Sequence, residues 1–193
     1  MAFEIELKAW VDEPEKVSAA LSKLGVYRGE YRKDDAYWYG AALPKPGLRV
    51  RREERVSPSG EKSAAVLAAF KTKERRGGIE VNDEKEFEVS VAAVFEELLK
   101  RLGLAAGNRK TKRGRLWDCG GITAELSGVD GLGCFVELEI IAPDNDPETV
   151  AAARTRLLAL LARTGVGEDK IEERYYTELL QNSPRRPEVS TWS

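Results

Sequence analysis

The chain has 193 residues, 33% of them charged, with 31 Lys plus Arg against 33 Asp plus Glu and a net charge of −2. That near balance argues against a general nucleic-acid or membrane binder, which carries an excess of one sign. Histidine is absent and the only cysteines are Cys119 and Cys134, so Ser-His and Cys-His nucleophiles, His-ligated metals and Cys-rich zinc sites are excluded, and any metal is hard and oxygen-ligated.

The first predicted element is Phe3-Glu4-Ile5-Glu6-Leu7-Lys8. Successive side chains of a strand point to opposite faces, so Glu4, Glu6 and Lys8 share one face. Asp12 and Pro14 mark a helix start; Val17, Ala20, Leu21 and Leu24 keep helical spacing, and Gly25 ends it. Asp34 to Tyr39 reads as an aromatic strand closed by Gly40, and Pro44 to Gly47 as a turn. Leu48-Arg49-Val50-Arg51 alternates with both arginines on one face. Ser57 to Gly60 connects it to a returning strand over 64–73. Lys73, Arg75 and Arg76 precede two glycines and read as a solvated loop. Glu84, Glu86 and Glu88 then alternate with Phe87 and Val89.

Val91 to Leu102 is a predicted helix with an apolar stripe through Val94, Phe95, Leu98 and Leu99, stopped by Gly103. Arg109 to Arg115 is a basic strand. Ile122 to Leu126 and Cys134 to Ile141 are strands joined at Gly131-Leu132-Gly133. Asp146-Pro147-Glu148 opens a helix reaching Thr164, and a last amphipathic segment holds Ile171, Tyr175 and Leu179. Residues 1–181 are expected to form a single domain. Residues 182–193, with two prolines and no periodicity, are expected to be a disordered tail. Tyr37, Trp38, Tyr39 and Trp117 are assigned mainly to barrel-wall packing and the cysteines to small buried hydrophobes. No apolar run approaches the roughly 20 residues that span a bilayer, and the charged first strand is no signal peptide, so the expectation is a soluble cytoplasmic protein with no membrane or nucleic-acid partner.

Five segments place ionisable side chains at i and i+2: Glu4/Glu6/Lys8, Arg49/Arg51, Lys71/Lys73, Glu86/Glu88 and Glu137/Glu139. Lys110/Lys112 is a weaker sixth, since Arg109, Thr111 and Arg113 occupy the other face. A solvated face explains any one such strand. Sorting by sign, strand after strand, points instead to charged faces converging in a lumen. The fold class is therefore α+β: a closed, mainly antiparallel β-barrel with a polar lumen, of about eight strands as in small ligand-holding barrels, with helices packed on its apolar outside. Basic pairs inside it suit a polyanion, and glutamate pairs suit the cations that accompany one.

Glu4-Ile5-Glu6-Leu7-Lys8 matches the Glu-x-Glu-x-Lys signature of the CYTH superfamily, the triphosphate tunnel metalloenzymes, which include class IV adenylyl cyclases, thiamine triphosphatases and inorganic triphosphatases. The resemblance continues in order. Arg49-Val50-Arg51 resembles the third-strand Arg-x-Arg, Phe70-Lys71 the fourth-strand lysine, and Glu86-Phe87-Glu88 the fifth-strand pair. Lys110-Thr111-Lys112 stands at the sixth. Gly131 to Glu139 is similar to the glycine turn with its late Glu-x-Glu strand, and Tyr176 with Leu179-Leu180 to the closing segment. The chain departs from the pattern at Glu84, where the family often has Arg, and at Ser127, where it often has Asp; Glu125 on the same face could replace that Asp as a metal ligand.

The resemblance implies an eight-stranded tunnel that binds a triphosphate-containing small molecule lengthwise, in a protein for which a homodimer would fit the family. It implies Lys8, Arg49, Arg51, Lys71, Lys110 and Lys112 as phosphate ligands, and Glu4, Glu6, Glu137 and Glu139 as ligands of Mg²⁺ or Mn²⁺. Without histidine, a general base must be a carboxylate, Lys or Tyr, and Glu88 and Glu125 are the candidates. Two reactions fit such a site: hydrolysis of tripolyphosphate, thiamine triphosphate or a nucleoside triphosphate, and cyclisation of ATP to cyclic AMP and pyrophosphate. A non-catalytic polyphosphate- or nucleotide-binding module is the alternative.

Overall fold

The computed structural model describes residues 2–41, 43 and 47–182. Eight strands close into one barrel: β1 (Phe3–Trp10), β2 (Val26–Tyr39), β3 (Leu48–Val56), β4 (Lys62–Arg76), β5 (Ile79–Glu88), β6 (Ala105–Asp118), β7 (Thr123–Val129) and β8 (Gly133–Ala142). Their order around the barrel is β1-β5-β4-β3-β2-β6-β7-β8, and every neighbouring pair is antiparallel. The expected α+β tunnel is therefore the fold observed.

Period-2 alternation explains the closure. On β1, Ile5, Leu7 and Ala9 turn outward into the main core, while Glu4, Glu6 and Lys8 turn inward. On β8, Val136, Leu138 and Ile140 are outside and Glu137 and Glu139 inside. The apolar outer wall is covered by α1 (Pro14–Leu24) against β7 and α3 (Pro147–Arg163) against β8 and β1. Val17 and Leu21 of α1, and Val150, Leu157, Leu160 and Leu161 of α3, complete that core. Helix α2 (Ala92–Arg101) docks more narrowly: Leu99 is buried with Trp38 and Val50, and Phe95 packs beside them. Val91, Val94, Leu98 and Leu102, expected in the apolar stripe, stay exposed because only one edge of α2 meets the barrel.

Three strands are longer than the sequence suggested. β2 begins at Val26 and β6 at Ala105. β4 continues to Arg76, so the expected loop at Lys73–Arg76 is strand; Lys73 pairs with Asn82 and Arg75 with Glu80 across to β5. The turn is confined to Gly77 and Gly78, whose φ angles of 58° and 85° lie in the left-handed region that glycine tolerates. After a 3-10 turn at Glu168–Lys170, Ile171 bridges to Ala9, and α4 (Tyr176–Asn182) lies across one end of the barrel. Asn182, expected in the tail, closes α4, whereas residues 183–193 and the turn residues 44–46 lie outside the described residues.

Candidate active site

The lumen holds a cavity of about 400 Å³ whose walls are ionisable along their length. It gathers all six expected phosphate ligands, Lys8, Arg49, Arg51, Lys71, Lys110 and Lys112, and all four expected metal ligands, Glu4, Glu6, Glu137 and Glu139. Residues not expected as ligands also line it: Lys33, Glu53 and Glu80, which the sequence reading passed over, Lys73, which it read as loop, and Glu84, which it read only as a departure from the family pattern. Their signal was present: each continues the alternation of its strand.

Within this lumen the cations are paired with carboxylates. Lys71 Nζ donates to Glu84 at 2.7 Å and lies 3.5 Å from Glu4, while Arg49 donates to Glu84 at 2.6 Å and Glu86 at 3.0 Å. Lys73 bonds Glu80 at 2.7 Å, and Lys8 sits 3.5 Å from the same residue. Opposite them, Asp35 is fully buried; it accepts two bonds from Arg51, at 2.7 and 3.1 Å, and an ion pair from Lys110 at 3.1 Å. Glu125 accepts from Lys33 at 2.6 Å, Lys112 at 2.6 Å and the Tyr31 hydroxyl at 2.8 Å. Gly114 makes room for Tyr31: a Cβ there would stand 2.9 Å from its hydroxyl and 2.4 Å from the Leu126 carbonyl oxygen.

The two proposed bases fare differently from expectation. Glu88 is exposed and absent from the cavity wall; it lies on the lumen-facing side of β5 but beyond the rim. Glu125 is inside. Burial would raise its pKa, but Lys112 and Lys33 outweigh burial and hold it well below the usual carboxylate range. A carboxylate so fully paired is a weak proton acceptor.

The four glutamates expected to hold metal divide into two groups. Glu137 accepts from Lys112 at 2.7 Å and from the Tyr176 hydroxyl; burial raises its pKa, yet Lys112 brings it down to about 2. Glu6 and Glu139 pair through their backbones across β1 and β8, but their carboxylates make no hydrogen bond or ion pair within the described residues. Burial, then Glu137 and Glu80, push Glu6 up to about 8. Burial, then Glu4 and Glu125, push Glu139 up to about 7. Burial also raises Glu4. Neighbouring carboxylates with too little positive charge are the donor chemistry a hard divalent cation satisfies, with water and phosphate completing its shell. Among the described residues no three acidic side chains are grouped so as to hold a metal ion as they stand, so a cation here would rest on one or two carboxylates with phosphate and water as its other ligands.

Among the aromatics, Tyr37 lines the lumen, Trp38 faces outward under α2, and Trp117 is buried in the main core with its indole N–H on Ser22. Both cysteines are free, Cys119 buried and Cys134 half-buried.

A closed antiparallel barrel with cations and carboxylates interleaved along its bore defines the triphosphate-tunnel architecture. The chain belongs to the CYTH domain family, whose sequence profile matches residues 2–176. A curated relative from Methanocaldococcus jannaschii, provisionally named an adenylate cyclase, is 26% identical over 182 residues, covering 91% of this chain and 97% of its own. The PH1012 protein of Pyrococcus horikoshii superposes with a TM-score of 0.74 at 25% identity, over 92% of this chain and 99% of that one. A Hippeastrum protein described as having a dominant triphosphatase activity shares the fold, with a TM-score of 0.61 at 14% identity over 94% of this chain and 95% of its own. No helix among the described residues is long and apolar enough to cross a membrane.

Proposed function

We propose that this protein is a divalent-metal-dependent enzyme that hydrolyses a linear triphosphate. The observation that carries the reading is the cation ladder along the lumen, Lys8, Arg49, Arg51, Lys71, Lys110 and Lys112, facing carboxylates that lack counter-charge. Arg offers a planar fork to phosphate oxygens and Lys a mobile point charge, so the ladder would bind and orient a chain of phosphates. Lys33 and Lys73 extend it. Glu6 and Glu139, cross-strand partners on β1 and β8, would hold the metal, Mg²⁺ or Mn²⁺, with Glu4 and Glu137 joining only when their side chains leave Lys71 and Lys112. The metal, when bound, would neutralise charge on the transferring phosphoryl group. Water then attacks the terminal phosphorus, the bridging P–O bond breaks, and orthophosphate departs from the shortened chain.

Hydrolysis is preferred to cyclisation because the lumen offers little to hold a purine. Of the three aromatic rings lining it, Tyr37 is buried in the wall, Tyr176 is flanked by Lys8 and Lys110, and Tyr175 by Lys73 and Arg75. The name of the Methanocaldococcus jannaschii relative favours the second reading, in which the ribose 3′-hydroxyl of ATP attacks the α-phosphorus and pyrophosphate leaves.

One assay separates the readings: tripolyphosphate, thiamine triphosphate and ATP are each supplied with Mg²⁺ or Mn²⁺, and orthophosphate, pyrophosphate and cyclic AMP are measured. Orthophosphate from tripolyphosphate is the expected result. Cyclic AMP with equimolar pyrophosphate from ATP, and no orthophosphate from any substrate, would establish the cyclase instead. Binding without turnover would establish a polyphosphate-binding module.

A further inference from the structure

The lumen does not stay polar to its end. On β1 the inward series Glu4, Glu6, Lys8 is followed by Trp10, and on β8 the series Glu139, Glu137 is preceded by Phe135. Trp10 and Phe135 lie opposite each other in register and stack with ring centroids 4.1 Å apart. Tyr176, at the start of α4, meets Phe135 edge-on at 5.0 Å. Behind these rings Val129, Leu132 and Leu179 are buried together.

Tyr176 is thus the interface between this apolar stopper and the charged bore. Its ring lies 4.6 Å beneath both Lys8 Nζ and Lys110 Nζ, and its hydroxyl donates to Glu137. The segment is tied in place: Lys8 Nζ donates to the Arg174 carbonyl at 2.7 Å, Glu172 N donates to the Lys8 carbonyl at 2.8 Å, and Arg75 pairs with Glu178. From the Lys8 rung to the Glu4 rung is four residues, about 13 Å along the strand.

Resting on the hydrolytic reading above, we propose that Tyr176 is a specificity-determining residue that sets the length of phosphate chain the lumen admits. The ring floors the bore directly under two phosphate-binding ammoniums. A chain entering from the Glu86–Glu88 rim ends against it; a longer chain either displaces the ring from Phe135 and the two lysines or leaves its surplus phosphates beyond that rim, off the cation ladder.

The test compares the full chain with Tyr176→Ala, Tyr176→Phe and Tyr176→Leu, using tripolyphosphate, tetrapolyphosphate and long-chain polyphosphate with Mg²⁺. Calorimetric binding is measured beside turnover, so that chain-length selection is read even where turnover is slow. Wild type is expected to favour tripolyphosphate. Tyr176→Ala should raise the long-chain to tripolyphosphate ratio of kcat/KM, or of affinity, at least tenfold, while Tyr176→Phe, which keeps the ring, leaves the ratio where it was. Tyr176→Leu, which retains apolar bulk against Phe135, should fall between and serves if the alanine variant does not fold. An unchanged ratio in folded Ala or Leu variants overturns the proposal, as does an equal shift in Tyr176→Phe. A wild type that binds long chains as well as tripolyphosphate refutes the stopper and leaves the hydrolytic reading standing; a wild type that neither binds nor cleaves any of them refutes both.

Discussion

Glu6→Gln should make the metal-free protein more stable at alkaline pH while abolishing metal-dependent turnover. Glu6 points into the lumen with a pKa raised from 4.5 to about 8, chiefly by burial and then by Glu137 and Glu80. A carboxyl whose folded pKa lies above its unfolded value contributes its stability below about pH 4.5 and loses it as pH rises toward about 8. At about 1.4 kcal/mol per tenfold change, that rise corresponds to at most about 5 kcal/mol. Glu6 keeps partial exposure to lumen water, so screening reduces the realised penalty to about 1–2 kcal/mol. The glutamine variant carries no charge and escapes it. In EDTA, urea denaturation should find wild type and variant within a few tenths of a kcal/mol at about pH 4, and the variant ahead by about 1–2 kcal/mol at about pH 8.5, or about 4 °C in Tm. Saturating Mg²⁺ should reverse the order, since a ligand at a hundredfold its Kd stabilises by about 2.7 kcal/mol and the variant loses that gain. A variant less stable than wild type in EDTA at about pH 8.5 would show that Lys71 and Lys73 already satisfy the Glu6 carboxylate in the empty lumen, and would refute the reasoning.

Metal entry should release protons from Glu6 and Glu139, which sit near 8 and 7, so affinity for Mg²⁺ should weaken as pH drops below those values. Calorimetry in two buffers of different ionisation enthalpy measures the protons; none released at about pH 6.5 would mean both carboxylates are already ionised. Asp35→Asn should cost about 3 kcal/mol in urea denaturation, because Arg51 and Lys110 would both lose a fully buried counter-charge. A loss below about 1 kcal/mol would place those cations in effective contact with lumen solvent.

Strand faces were readable from the sequence because alternation is a local property. Glu4/Glu6/Lys8 and Glu137/Glu139 announced their lumen faces outright, and the CYTH resemblance supplied the closed eight-stranded tunnel, though the order of strands around it, β1-β5-β4-β3-β2-β6-β7-β8, was not read. Distances along the bore were not readable. Glu84 and Glu88 share a face, but only Glu84 lies inside the cavity; where the rim crosses a strand depends on barrel shear, which no single strand encodes. Lys73 was misassigned for a related reason. Arg75-Arg76-Gly77-Gly78 has loop composition, and only pairing with Ile79–Asn82 keeps that stretch in β4. Glu125 was correctly placed on an inward face, yet its flanking by Lys33 of β2 and Lys112 of β6 is a matter of cross-strand geometry. That flanking is what lowers its basicity in the empty lumen.

The same pairing explains why a polyanion tunnel should have a chain that is almost neutral overall. Stacked ammonium and guanidinium groups in a narrow bore repel each other strongly: burial, then Lys71, lowers Lys73 to about 8 despite Glu80, and burial, with Lys112 and Arg51, lowers Lys110 to about 8 despite Asp35. Interleaved carboxylates such as Asp35, Glu84 and Glu125 keep the empty barrel foldable. A triphosphate that takes over Lys71, Arg49 and Lys112 would strip Glu84 and Glu137 of their partners and leave more unmatched carboxylate beside Glu6 and Glu139. Divalent cations are then needed to restore the balance. Phosphate chain and metal would therefore each raise the other's affinity, by the same factor in both directions, as linkage requires. Equal tripolyphosphate affinities in EDTA and in saturating Ca²⁺ would refute that coupling, and with it the view that the lumen carboxylates serve the cation rather than the fold alone.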